Sequence, residues 1–220
     1  MTPAAPPLEP APPIAHALDE GDLPAMAGLL MQSRQTILPK RLGGAGPDAA
    51  QLQQILLAAS AAPDHGQLLP WRFVLVPLNA RALLAEVFGQ ALAERDGAAT
   101  PEQLAQAREK AHRAPLLMLV VVDGRRGDER IDLFERLASA GCALQNMLLM
   151  ATAMGYGSAL TSGQALKSAG LRRLFGLHEG EHALCFVSIG TAQSRKPAPP
   201  RPVPGDYVRI LTPGGSTTGF

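Results

Sequence analysis

A chain of 220 residues that is 46% hydrophobic and 18% charged can bury a core of its own and is too apolar to stay unfolded throughout. Its 20 Lys and Arg against 19 Asp and Glu leave a formal charge of +1, so no broad field draws it to nucleic acid or to an anionic membrane surface. The two cysteines, Cys142 and Cys185, lie far apart in apolar runs and fit neither a redox pair nor a zinc-ligand spacing, which favours reduced thiols in a cytoplasmic protein.

Six prolines fall within the first 13 positions, without the basic start or continuous apolar centre of a secretory signal. Residues 1–21 are therefore expected to be a disordered arm, residues 22–212 one domain, and residues 213–220 a flexible tail. Leu23, Met26, Leu29 and Leu30 have helical spacing, which predicts a helix over Leu23–Ser33. A second helix, capped by Asp48, runs through Leu52, Ile55, Leu56 and Ala59 and ends before Pro63. Arg72–Val76 reads as a strand, Ala80–Glu94 and Pro101–His112 as helices, and Leu116–Val122 as an all-apolar strand, far shorter than the ~20 residues a membrane span needs. Ile131–Met154 reads as a long helix, apolar on most faces after Ala138, which belongs in the centre of the fold or in a dimer interface. A strand over Gly157–Leu160, a helix near Gln164–Phe175 and a strand over Leu184–Ile189 follow. A final apolar run, Tyr207–Leu211, stands beyond a proline-rich crossing. This alternation predicts an α+β fold in three layers.

The sequence carries no G-x-G-x-x-G after a strand, no G-x-x-x-x-G-K-[ST] and no G-x-S-x-G, which removes the main support for Rossmann, P-loop and hydrolase-elbow sites. Gly43-Gly44-Ala45-Gly46 could cradle a phosphate, but no Lys-Ser or Lys-Thr follows it, and a connector is the plainer reading. His178-Glu179-Gly180-Glu181-His182 fits H-E-x-x-H by letter. It follows a helix end, has Gly at its centre and leads into a strand, so its histidines should not share a helical face, and no metal site is expected.

Three segments agree with one another. Arg34-Gln35-Thr36, after the first helix, combines a permanent cation, an amide and a hydroxyl, a set that can grip a phosphate and a polar heteroaromatic ring. Ala62-Pro63-Asp64-His65, followed by Leu69-Pro70-Trp71-Arg72-Phe73, puts polar groups on a loop beside the chain's only tryptophan. Gly155-Tyr156-Gly157-Ser158 leads into Leu160-Thr161-Ser162-Gly163, whose small residues allow the backbone to approach a flat ligand. Together with Ala140-Gly141-Cys142-Ala143 in the long helix and Gly190-Thr191 after the last core strand, this ordered set resembles the nitroreductase family and its YdjA-like subgroup.

The resemblance covers residues 25–211 and implies an FMN-binding fold with a mixed, mainly antiparallel sheet, the C-terminal strand being exchanged between the subunits of a homodimer. By this resemblance Arg34, Gln35 and Thr36 hold the FMN phosphate and ribityl chain, with Arg195 or Lys196 supplying the charge that Gln35 lacks where the subgroup has a second Arg. His65 reaches the flavin from the partner subunit, and Leu160, Thr161 and Ser162 pass along its ring. Leu69 stands where the subgroup has Gln, and Gln67 could take over that hydrogen bond; Met150–Gly155 matches a nicotinamide-binding segment. The implied activity is hydride transfer from NAD(P)H through FMN to a small nitroaromatic or quinone-like acceptor, in ping-pong order and without a catalytic acid–base pair, since the cofactor carries the chemistry. Enone reduction on the same fold, or flavin binding with little turnover, are the alternatives that the departures at Gln35, Leu69 and Leu160 leave open.

Overall fold

The computed structural model describes residues 21–220, so nearly all of the expected proline-rich arm lies outside the described residues. Helix α1 covers Leu23–Ser33, strand β1 Leu42–Gly43, α2 Ala49–Ala58, β2 Trp71–Leu75, α3 Arg81–Arg95 and α4 Pro101–Glu109. Then come β3 Leu116–Asp123, α5 Leu133–Ala153, β4 Gly157–Thr161, α6 Ala169–Leu174, β5 Glu181–Ala192, a single helical turn α7 at Pro204–Tyr207, β6 Arg209–Leu211 and β7 Thr217–Gly219. Local chemistry sets several boundaries: Asp48 and Thr100 cap α2 and α4 in reciprocal boxes with Gln51 and Gln103, and Asp132 accepts from the N–H groups of Phe134 and Glu135 to start α5.

β3 explains the layering. Its all-apolar run splits by alternation: Met118 and Val120 pack with Ile55 of α2 and Ala143, Leu144 and Met147 of α5. Leu117, Leu119 and Val121 pack on the other face with Leu84 of α3 and Leu171 of α6. A strand buried on both faces reads as continuous rather than alternating hydrophobicity, and here helices cover both. The three expected layers are therefore present, with α2 and α5 on one face of the sheet and α3, α4 and α6 on the other.

β5 is the spine of the five-stranded sheet. β3 pairs along one edge of it, with β2 outside β3, while β4 and β1 share the opposite edge. Every strand pair is antiparallel, and the parallel element is an isolated bridge between Thr36 and Ser158. The register of β3 on β5 shifts between Val120, opposite Cys185, and Val121, opposite Ala183. The extra residue lets Leu184 and Cys185 both face the α2/α5 layer.

Four segments depart from expectation. The helix expected over Gln164–Phe175 is a 3-10 turn at Gln164–Lys167 and then α6, because the Ser168 hydroxyl accepts from the Leu171 N–H and restarts the helix. β5 extends beyond Leu184–Ile189 at both ends, since β3 and β1 supply partners there. The presumed connector at Gly43 is part of β1, paired with Thr191. The tail from 213 to 220 contains β7, which pairs with β6 through a turn closed by Thr212 and Ser216. β6 thus forms a separate two-stranded sheet with β7 and, among the described residues, joins no strand of the main sheet. Among the described residues no helix is long and apolar enough to cross a membrane.

Candidate functional site

A cavity of about 560 Å³ lies on the α3/α4 side of the sheet. Its floor is Leu117 of β3, Phe186 and Ser188 of β5 and Thr161 at the end of β4. Phe88, Ala91, Leu92 and Arg95 of α3 form one wall, with Ala107 of α4 and then Lys110 and Arg113 beside it. Ser162–Leu166 and Leu38–Lys40 complete it. Four cations, Lys40, Arg95, Lys110 and Arg113, line this space, and among the described residues no Asp or Glu does. Only Arg113 has a carboxylate partner among the described residues, Glu109 at 2.7 Å. An apolar floor, small residues that admit a flat body, a few hydroxyls and a positive rim suit an aromatic ligand that carries an anionic or electron-rich edge.

Thr161 enters the cavity because of strand parity. It pairs with Phe186, and directly opposed residues of an antiparallel pair share a face. Leu160 pairs with Val187 and so points to the opposite face, where it is 42% exposed. Of the three expected β4 positions, Thr161 and Ser162 line the cavity, and Leu160 can meet it only through its backbone. Arg34, Gln35 and Thr36 run beside the same strand: Thr36 bridges Ser158, and the Ile37 N–H donates to the Ser158 carbonyl at 2.9 Å. None of the three side chains lines the cavity, although Leu38–Lys40, directly after them, does. The Ser158 hydroxyl is 2% exposed and has no hydrogen-bond partner among the described residues.

His65 stands elsewhere, 69% exposed in its side chain, with Nδ1 2.7 Å from Glu135 Oε2 at the start of α5. Its loop is strained: Gly66, Gln67 and Leu69 have φ of 72°, 50° and 47°, and the Leu69 N–H is held by Asp64 Oδ2 at 2.7 Å. Gln67 and Leu69 are exposed, whereas Trp71 packs against the α2/α5 core, its indole N–H donating to the Ser139 hydroxyl of α5 at 3.2 Å. Met150–Gly155 is mixed: Ala151 is fully buried with Met150 and Met154 packed partly beside it, whereas Ala153 and Gly155 are exposed.

Behind the cavity, Arg81 is 1% exposed. Its guanidinium donates to the carbonyls of Val76 and Ala111 at 2.7 Å each, Pro115 at 3.3 Å and Arg113 at 3.4 Å, with no carboxylate among these partners. Burial lowers its pKa from the ordinary arginine value. The three later acceptors bracket Ala114, whose φ of 64° is unusual for a residue with a side chain, so Arg81 fixes the turn that carries Lys110 and Arg113. The H-e-x-x-H letters are spread over a turn and a strand: His178 precedes β5 and His182 lies on it. Among the described residues no three His, Cys, Asp or Glu side chains are grouped to hold a metal.

The nitroreductase family model matches residues 32–191, from the end of α1 to the end of β5. The chain belongs to the nitroreductase family. A Haemophilus influenzae protein named as an NAD(P)H nitroreductase is 33% identical over 156 residues, covering 71% of this chain and 84% of its own. The Escherichia coli K12 protein YdjA, named likewise, is 32% identical over 153 residues, covering 70% and 82%. The solved structure of a variant FMN- and NADPH-dependent nitroreductase from a Sphingopyxis strain superposes with a TM-score of 0.67 at 18% identity, over 84% of this chain and 99% of its own.

Within this nitroreductase fold the sequence motifs and the cavity overlap only in part. Thr161 and Ser162 belong to both, while Lys40, Arg95, Lys110 and Arg113 carry the cavity's charge and appear in no motif. One signal for them was available: Lys110 and Arg113 stand at the end of a helical stretch with widely spaced apolar residues, just before the most apolar strand.

Proposed function

We propose that this nitroreductase-family chain is an FMN-dependent oxidoreductase that takes a hydride from NAD(P)H and delivers it to a small electron-poor acceptor, nitroaromatic or quinone-like. The observation that carries this reading is the cavity: within the volume range of small-molecule sites, floored by Phe186 and Leu117 and rimmed by cations without acids. These residues fit a flavin. Ala91, Ala107, Gly163 and Ala165 leave room for a planar ring system, Thr161 and Ser162 offer polar atoms at its edge, and Lys110 and Arg113 favour negative charge on it. Bound FMN would supply the hydride chemistry, and a structurally similar nitroreductase is FMN- and NADPH-dependent by name. The protein's part is to bind, orient and exclude water. In this reading Arg34, Gln35 and Thr36, with Arg195 or Lys196, hold the phosphate and ribityl chain. Donor and acceptor use one opening in turn, which gives ping-pong kinetics.

The same reading makes the protein a homodimer in which His65, braced by Glu135, reaches the flavin of the other subunit. α1 supports it: the helix has no buried residue, and Leu23, Met26, Leu29 and Met31 are all at least 48% exposed. Phe134 of α5 is 80% exposed, and Ile210 and Leu211 of β6 are open as well. So much uncovered apolar surface on one chain calls for a partner, and β6 is the segment available to add to a second subunit's sheet.

The test is the absorption spectrum of the purified chain after addition of FMN, followed by anaerobic NAD(P)H. Flavin bands that bleach with NAD(P)H and return with a nitroaromatic or quinone are expected. A chain that retains no FMN would overturn the proposal, and a yellow chain that NAD(P)H cannot bleach would make it a flavin-binding protein without turnover.

A further inference from the structure

The chain's net charge of +1 hides an uneven distribution. No Asp or Glu occurs between Asp22 and Asp48, nor between Glu181 and Asp206, and the fold lays these two stretches side by side. Leu42 pairs with Ala192 and Gly43 with Thr191; the Gln193 N–H then donates to the Arg41 carbonyl at 2.9 Å. Eight residues later the Arg201 guanidinium donates to the Arg34 carbonyl at 2.6 Å. The segment from 193 to 201 is thus fastened at both ends to the segment from 34 to 41. It is stiffened between by Pro197, Pro199 and Pro200. Arg34, Lys40, Arg41, Arg195, Lys196 and Arg201 are gathered by this arrangement, and none of the six has a carboxylate partner among the described residues. Lys40 also lines the cavity, so the basic surface is continuous with its rim.

A flavin phosphate brings a charge of roughly −2, which two or three of these cations would match. The surplus, in a place where the ends of the loop are pinned and its prolines limit the entropy lost on binding, is suited to a second phosphate. We infer that the acid-free surface formed by Arg41 and Arg195, with Lys196 rather than Arg195 left to the flavin phosphate, binds the 2′-phosphate of the nicotinamide donor, so that the physiological donor is NADPH. The inference rests on the flavin-enzyme reading above and adds to it the choice of donor. NADH and NADPH differ only in that phosphate monoester, and a field of this sign discriminates between them through encounter and through direct charge-assisted hydrogen bonds.

Two measurements test it. With the FMN-loaded chain at low ionic strength, kcat/KM for NADPH should exceed that for NADH by about tenfold or more, the discrimination expected of one charge-assisted contact. The gap should narrow as salt is added. Arg41→Gln and Arg195→Gln should each lower kcat/KM for NADPH several-fold further than for NADH. Independently of turnover, calorimetry on the full chain should show 2′,5′-ADP binding about tenfold more tightly than 5′-AMP, with the difference shrinking in both variants. Equal use of NADH and NADPH, equal losses for both donors in the variants, or equal affinities for the two nucleotides would overturn the inference and leave the six cations to the flavin phosphate. Failure to bind FMN would instead strike the flavin-enzyme reading, and the nucleotide titration would still decide whether a 2′-phosphate is recognised.

Discussion

Replacing Arg81 with Met should cost the domain roughly 4 kcal/mol, although the residue does not itself line the cavity. Met keeps the apolar stem but leaves the carbonyls of Val76 and Ala111, each bonded at 2.7 Å, without a donor in a site only 1% exposed. Two charge-assisted bonds of this length are worth roughly 1.5–3 kcal/mol each, and the longer bonds to Pro115 and Arg113 add less. The variant recovers part of the desolvation penalty that lowers the arginine pKa, which keeps the net loss near the middle of that range. For a chain of this size, roughly 4 kcal/mol corresponds to a fall in Tm of roughly 8–16 °C, measured at one fixed protein concentration. Arg81→Lys, with a compact head that cannot span all four acceptors, should lose about half as much. Hydrogen exchange should quicken first around residues 111–116, where Ala114 depends on the clamp to hold its left-handed backbone. A Met variant within about 1 kcal/mol of the parent, with unchanged exchange there, would refute the clamp.

Glu181, held by Arg72 through bonds of 2.6 and 3.0 Å, has its carboxyl below the ordinary glutamate range because of that hydrogen bonding. The stabilisation is complete above the usual value near 4.5 and is lost as pH falls through the depressed one. Glu181→Gln should therefore cost about 1–2 kcal/mol at pH 7, discounted for the partly exposed Arg72, and flatten the loss of stability below pH 5, as urea midpoints across pH 3–7 would show. Burial pushes the Cys185 thiol up to about 11, so a thiol reagent at pH 8 should label it only on unfolding; labelling at the rate of a free thiol would contradict its place in the core. Lys110→Met should raise the FMN Kd about tenfold and leave Tm within about 1 °C, because the ammonium lines the cavity while the side chain is exposed; an unchanged Kd would remove Lys110 from the site.

The elements legible in the sequence were those written by local chemistry. Asp48 and Thr100 announce their helices through caps, and the apolar run before Asp123 could only be a strand covered on both sides. The long helix expected over Ile131–Met154, observed as Leu133–Ala153, was legible for the same reason. The break at Ser168 was hidden because a serine inside a helical pattern and a serine that restarts a helix look alike until the Leu171 N–H is seen to use it. β1 and the ends of β5 escaped because two residues acquire strand character only from a partner distant in the chain. At the site, Thr161 and Ser162 could be read from a motif, whereas Lys40, Arg95, Lys110 and Arg113 come from three separate segments and become a charged rim only after folding. Leu160 shows the limit of a motif: Thr161 and Ser162, directly after it, line the cavity, and strand parity sends its own side chain away.

The position of β5 near the end of the chain governs how the protein can be made. Three strands depend on β5 for pairing, and it leaves the ribosome after all of them. Leu42 and Gly43 wait for residues 191 and 192, and β3 can form its hairpin with β2 while its second edge stays open. A nascent chain that has emerged only through α6 therefore presents a strand edge of seven consecutive apolar residues, Leu116–Val122, with no partner. Such an edge is a template for intermolecular pairing, so slow synthesis or truncation just before β5 should produce aggregates rather than a shortened but folded enzyme, and holding chaperones should matter most in that interval.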